Sequence, residues 1–112
     1  MTPSDLRDLA SRVETEEPSE ALRAAVLDAF GSEAEPGSEP DPLVSVDDAK
    51  GFQPDGWKIH TLEHNPHSWY CVIKSDMRFP AVYSVGNAPD EPRARTAAAL
   101  GALAWEMENA GG

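Results

Sequence analysis

Apolar residues recur at helical spacing near the start of the chain, which predicts an amphipathic first helix with one buried face. Three neighbouring residues predict the start of this helix. Thr2 can cap it, Pro3 suits the first helical position, and Asp5 stands where a capping box places its acid. The apolar face comprises Leu6, Leu9, Ala10 and Val13.

A second helix is predicted to begin at Pro18, after the polar residues 14–17 interrupt the apolar face of the first helix. Gly31 falls where a left-handed residue commonly ends a helix, so the helix should finish just before it. A helix this short is marginal alone, and its apolar face must therefore pack on another element. That face comprises Leu22, Ala25, Val26, Ala29 and Phe30.

Residues 32–42 contain four acids and three prolines, a composition that cannot bury enough apolar surface to offset its ordering entropy. The segment is predicted to be a mobile acidic loop. Ser45 then offers a second capping signal, which predicts a short helical turn from Asp47 to about Lys50. Residues 54–56, a Pro-Asp-Gly sequence, are typical of a turn and directly precede Trp57.

From Trp57 the hydrophobic period changes to two, which predicts three strands over about 57–62, 69–74 and 81–85. Strict alternation places Trp57, Ile59 and Thr61 on one face of the first strand, and the three intervening residues on the other. Turns are predicted at 64–67 and 76–78, and a break at 86–90. Connections this short favour an antiparallel meander.

Pro92 can start a final helix that runs to about Asn109. One face is predicted to carry Ala97, Leu100, Ala104 and Met107. The neighbouring stripe has small residues that would let the helix approach the sheet closely, and consists of Ala98, Gly101, Ala102 and Trp105. The fold class is therefore α+β, a three-stranded antiparallel meander packed with two N-terminal helices and one C-terminal helix. One domain is expected over 1–112, and an exposed strand edge could build a homodimer or a higher oligomer.

The charge of the chain is strongly acidic, with 9 Lys and Arg against 20 Asp and Glu, and a net charge of −11. Residues 1–50 hold 13 acids and 4 bases, and residues 51–112 hold 7 acids and 5 bases. This sign argues against direct nucleic-acid or anionic-membrane binding, because phosphate neutralisation needs Lys and Arg. It leaves two interpretations, which are attraction of a basic partner and solubility alone.

The chain carries little that suggests catalysis or a cofactor. His60, His64 and His67 fall within eight residues, on a predicted strand end and the turn after it, where solvated histidines are favoured over a metal site. Cys71 lies between Trp69 and Ile73 on one face of the predicted second strand. It is predicted to be a small core residue, not a nucleophile. Acid pairs lie at predicted helix starts, where capping explains them. The expectation is a non-enzyme with no cofactor and no metal.

The expected location is the host cytoplasm. The apolar stretches are far shorter than the ~20 residues of a membrane span. The first residues lack the basic and apolar regions of a signal peptide. A single cysteine excludes an intramolecular disulfide.

Four segments together resemble the phage alpha-beta-alpha sandwich domain, a family of short phage and prophage proteins. They are the amphipathic 6–14, the glycine-capped 20–31, the Ser45-x-Asp47-x-Ala49 start with the turn 54–56 into Trp57, and the alanine-rich 96–105. The resemblance implies a phage or prophage origin and an α+β sandwich. It carries no activity and no functional residues.

These observations lead to one function and two alternatives. The expected function is a non-catalytic accessory protein that binds and inhibits a host protein, such as a component of an anti-phage defence system, through an acidic surface facing a basic partner. The first alternative is an oligomeric sponge that sequesters a nucleotide signal, and the second is an acidic nucleic-acid mimic that binds a nucleic-acid-binding protein. The acidic surface would use Glu16, Glu17, Glu33 and Glu35. The nucleotide site would use Trp57, Trp69, Arg78 and Tyr83.

Overall fold

The computed structural model describes residues 2–32, 40–75 and 80–109, and confirms the α+β class. Within these residues the sheet is antiparallel in the order β1-β2-β3. No helix of the described residues is long and apolar enough to cross a membrane. The elements are α1 Pro3–Thr15, α2 Glu20–Ala29, α3 Val46–Gly51, β1 Trp57–Asn65, β2 Ser68–Ser75, β3 Tyr83–Ala88 and α4 Glu91–Asn109.

The helix starts follow the local capping chemistry. At α1 the Thr2 hydroxyl accepts a hydrogen bond from the Asp5 amide at 3.1 Å, and the Asp5 carboxylate accepts one from the Thr2 amide at 2.9 Å. This confirms the predicted capping box. The second helix begins at Glu20 instead of Pro18, because the Ser19 hydroxyl caps it by accepting from the amide of Leu22.

The predicted faces of β1 are wrong beyond its midpoint, because a bulge interrupts the pairing with β2. Ile59 pairs with Ile73 and Thr61 pairs with Val72, so His60 is an extra residue in β1. One inserted residue moves every later side chain to the other face of the sheet. Leu62, not Thr61, therefore joins Trp57 on the face that packs on α4.

The third strand lies later than predicted. Gly86 was expected to end it, yet Gly86 pairs with Cys71 inside β3, and the strand continues to Ala88. A side chain at Gly86 would collide with the backbone of Ala94 and Ala98 in α4. This glycine marks a close approach of strand and helix, not a break in the sheet.

Helix α4 lies between the sheet and the N-terminal helices, and buries residues on both of its long sides. Toward the sheet it packs Ala94, Ala98 and Ala102 against a core of Trp57, Cys71, Ile73 and Ala88. Toward α1 and α2 it packs Ala97, Leu100 and Ala104 against a core of Leu6, Leu9, Val13, Leu22, Val26 and Leu43. Met107 was predicted on the same face as Ala97, Leu100 and Ala104, but it is 42% exposed near the end of the helix and lies outside this core.

The chain entering α3 is tied to α4. The buried Thr96 hydroxyl donates a hydrogen bond to the carbonyl of Pro42 at 2.9 Å, and Leu43 is buried beside it.

Residues 33–39, the greater part of the predicted mobile loop, lie outside the described residues. The sheet face opposite α4 carries Tyr83 and Val85, which are 51% and 49% exposed.

Candidate functional site

Two of the four predicted acidic-surface residues lie in the described part of the chain, at the end of α1. Glu16 forms the C-cap of that helix, and its carboxylate accepts a hydrogen bond from Arg12 Nε at 2.9 Å. Both side chains of this pair are about half exposed, so it leaves the Glu16 carboxylate accessible to a partner. Glu17 is exposed. Glu33 and Glu35 lie outside the described residues.

A shallow hollow begins at Pro18, the residue after Glu17, and lies between the start of α2 and the segment leading to α3. Its volume is about 350 Å³, and Val44 on its wall is 62% exposed. The Glu20 carboxylate pairs with Arg23 at 2.9 Å, and the glutamate side chain is 87% exposed whereas the arginine is 24% exposed. The negative end of that pair therefore faces solvent. The hollow is lined by Pro18, Ser19, Glu20, Arg23, Asp41 and Val44.

The predicted aromatic residues are not brought to one surface. Trp57 is 3% exposed, and its indole N–H donates to the Glu106 carboxylate at 3.0 Å. Trp69 stacks on His64 with ring centroids 4.5 Å apart, about 20 Å along β2 from the partner of Trp57. Tyr83 lies on the opposite face of the sheet. Arg78 lies outside the described residues.

The sheet face opposite α4, called the open face below, holds a cluster of lysine and aromatic side chains. Strict alternation along the sequence did not predict which of these side chains would be neighbours. Lys58 and Lys74 are direct partners across β1 and β2, and Lys74 also pairs with Tyr83 of β3. The His60 ring meets the Tyr83 ring edge-on at 5.2 Å. This cluster depends on the strand register and the bulge.

Cys71 is fully buried in the core between the sheet and α4, which confirms its predicted position in the core. Burial raises the pKa of its thiol above the ordinary value of 9.0, since a thiolate would lose its hydration there. The charge of Arg95 acts in the opposite direction on this pKa with a smaller effect. A protonated, enclosed thiol is a poor nucleophile.

The buried thiol predicts a pH dependence of stability. Above pH 9.0 the thiol ionises in the unfolded chain but stays protonated in the folded chain, so the unfolded state binds fewer protons. The free energy of unfolding should therefore fall as the pH rises past this value. Urea titrations of the wild type and of Cys71→Ala between pH 7 and pH 10 measure the difference. Parallel pH profiles for the two proteins would contradict this assignment.

The histidines take separate places. His60 Nδ1 lies 2.9 Å from the Thr61 hydroxyl, His64 stacks on Trp69, and His67 is exposed in the turn after β1. Across the described ranges, no group of three His, Cys, Asp or Glu side chains is placed to hold a metal ion.

A second surface, which the sequence did not reveal, is the groove between α1 and the outer edge of β3. It has a volume of about 280 Å³ and is open to solvent. Beneath it the Ser84 hydroxyl donates to the Ala98 carbonyl at 2.7 Å, and Gly101 leaves room for that hydroxyl, which a side chain there would overlap. The groove is lined by Arg7, Ala10, Ser11, Glu14, Tyr83, Ser84, Val85, Ala97, Gly101 and Trp105.

Charged side chains flank this groove. At the end of β3 the Glu14 carboxylate accepts a hydrogen bond from the Asn87 amide at 2.7 Å. Two helical turns earlier on α1, Arg7 forms an exposed ion pair with Glu108 of α4.

No family model, curated protein or solved structure matches the chain.

Proposed function

We propose that this chain is a non-catalytic accessory protein of a phage or prophage that binds a host protein and inhibits it. A component of an anti-phage defence system is the candidate target. The proposed phage origin is supported by the resemblance of the four sequence segments. The binding role is supported chiefly by the acidic hollow at the start of α2, where the exposed Glu20 and the partly exposed Asp41 line the same wall as the exposed Val44.

The hollow favours a basic partner. Glu17 and Glu20 are both exposed and lie on either side of Pro18. A partner lysine or arginine would meet these carboxylates at the rim, and its aliphatic stem would cover Val44. The net charge of −11 adds long-range attraction, which speeds encounter with a basic surface.

Inhibition would follow from occupancy, because the acidic surface would cover the partner's basic patch. If that patch normally binds nucleic acid, the chain acts as a nucleic-acid mimic, and added DNA or RNA should displace it. The nucleotide-sponge alternative receives no support from the described aromatic residues, since Trp57 is buried and Trp69 and Tyr83 lie on opposite faces of the sheet. A stoichiometric nucleotide adduct, detected by native mass spectrometry of the purified protein, would nevertheless contradict the protein-binding proposal.

Charge reversal tests the acidic surface. The variant Glu17→Lys with Glu20→Lys is expected to weaken binding to the captured partner by about tenfold or more, since it replaces attraction by repulsion at the hollow. The matched control is Asp55→Lys with Glu63→Lys, which makes the same change in net charge at exposed positions outside the hollow. Affinity capture from a bacterial lysate, followed by titration calorimetry at two salt concentrations, provides the measurement.

The control determines how the result is interpreted. A partner with a basic surface that is lost with the first variant and kept by the control supports the proposal. Equal losses with both variants would show that only net charge matters. Unchanged binding by the first variant would overturn the acidic-surface assignment.

A further inference from the structure

We propose that the free edge of β3 and its groove bind an extended, basic segment of the partner polypeptide as an added strand. This inference rests on the proposed function and specifies how the partner is held. In the described sheet β3 has β2 on one side only, so its other edge is free of strands.

The backbone of β3 has a definite orientation at this edge. The Val82 carbonyl accepts from the Ser75 amide of β2, whereas the Asn87 amide points away from β2 and donates to Glu14. Because backbone groups alternate in direction along a strand, Tyr83 and Val85 share the outward direction of Asn87. Each therefore presents one amide donor and one carbonyl acceptor to the groove.

Protein sheets usually protect such an edge by charge, a bulge, or a covering helix. Here α1 lies beside the edge without closing it, and Glu14 occupies only the last outward amide, that of Asn87. The amides of Tyr83 and Val85 open on the groove instead. Strand addition satisfies these groups, with affinity from main-chain hydrogen bonds and specificity from alternate side chains.

The surroundings of the edge define the segment that fits. The half-exposed Tyr83 and Val85 favour β-branched or aromatic neighbours on the open face of the sheet. At the other end Glu14 lies two and three residues before Glu16 and Glu17, so the groove leads toward the predicted acidic surface. A segment with basic residues at that end complements this charge.

Other occupants fit less well. Small-molecule pockets enclose roughly 300–1,000 Å³ and bury most of the ligand, whereas this groove is smaller and open. A second copy of the chain could pair through the same edge, but each copy carries a charge of −11 and would place its own Glu14 there. Analytical ultracentrifugation that showed a dimer lost with Val85→Pro would assign the edge to self-association and overturn the proposal.

The test variant is Val85→Pro. Proline removes the outward amide of Val85 while leaving the β2 ladder intact, because an edge strand tolerates proline where its N–H faces outward. Val85→Thr is the matched control, since it keeps the amide and the β-branched shape. The probe is the synthetic peptide Lys-Lys-Val-Thr-Val-Thr-Val, compared with the same peptide N-methylated at every backbone amide, which can donate no main-chain hydrogen bond from either edge.

Hydrogen exchange followed by NMR reports on the edge directly. We expect the unmodified peptide to slow exchange of the Tyr83 and Val85 amides by about tenfold, and the N-methylated peptide to leave both unchanged. Peptide binding should be lost with Val85→Pro and kept with Val85→Thr. No protection at these amides at millimolar peptide, or equal binding of the N-methylated peptide, would overturn the proposal.

Two further comparisons keep the outcomes separate. If Val85→Pro does not fold, as judged by circular dichroism, the N-methylated peptide makes the same test on the wild type. Partner capture lost by charge reversal but kept by a folded Val85→Pro would overturn strand addition and leave the proposed function standing. Edge protection by the peptide with no effect of charge reversal on partner capture would support strand addition and contradict the acidic surface.

Discussion

Replacing Gly86 with alanine is expected to lower the free energy of unfolding by about 3 kcal/mol. Gly86 pairs with Cys71 in the sheet and lies against α4, where an added methyl group would overlap the Ala94 carbonyl and the Ala98 amide. These are backbone atoms of a buried helix, so no side-chain rotation can relieve the overlap. The helix would have to move away from the sheet and loosen the core around Trp57.

Thermal and urea denaturation of the two proteins measure this loss. Gly51→Ala is the matched control, because Gly51 lies at the end of α3 and a methyl group there meets no atom within 4 Å. That control should be neutral or slightly stabilising, since alanine favours helix by up to about 1 kcal/mol. If Gly86→Ala were as stable as the control, the close contact between β3 and α4 would be wrong.

Replacing Arg93 with alanine is expected to cost about 3 kcal/mol, since its guanidinium is held by charge-assisted hydrogen bonds in a nearly buried site. The side chain is 6% exposed, and its Nε donates to the Asp90 carboxylate at 2.8 Å. Its Nη1 donates to the Glu16 carbonyl, which ties α4 to the end of α1. Loss of this tie should also disorder Glu16 and Glu17, the described part of the acidic surface.

Arg12→Ala is the appropriate control, because Arg12 pairs with the same Glu16 from a half-exposed position and should cost no more than about 1 kcal/mol. Arg93→Lys keeps the charge but cannot reproduce the planar fork, so it should recover only part of the loss. Chemical denaturation gives the stabilities, and amide exchange near Glu16 gives the local effect. Equal stabilities of Arg93→Ala and Arg12→Ala would contradict a structural role for the buried guanidinium.

Features that depend on residues close together in the chain could be predicted from the sequence. The capping box of Thr2 and Asp5, and the short helix begun by Ser45, depend on residues three positions apart. The alternation in β2 correctly placed Cys71 in the core, because that strand has no bulge and packs on a helix. The small residues of α4 correctly indicated close packing on the sheet.

The candidate surfaces were less predictable. Glu16 and Glu17 could be named because exposed acids at a helix end are visible in sequence, but the hollow beside them needs Val44, which arrives from a distant segment. Trp57 looked like a binding aromatic, yet its indole N–H meets Glu106 of α4 and the ring is buried. No local signal encodes that pairing.

The sequence by itself determined the capping box of α1, the antiparallel order and the acidic character, because each follows from neighbouring residues or from composition. The tertiary structure decided the bulge at His60, the place of Gly86 inside β3 and the free edge beside α1. These features arise where strands and helices distant in sequence meet, and their energies come from packing and shared hydrogen bonds. Periodicity along one segment carries no record of the element that lies against it.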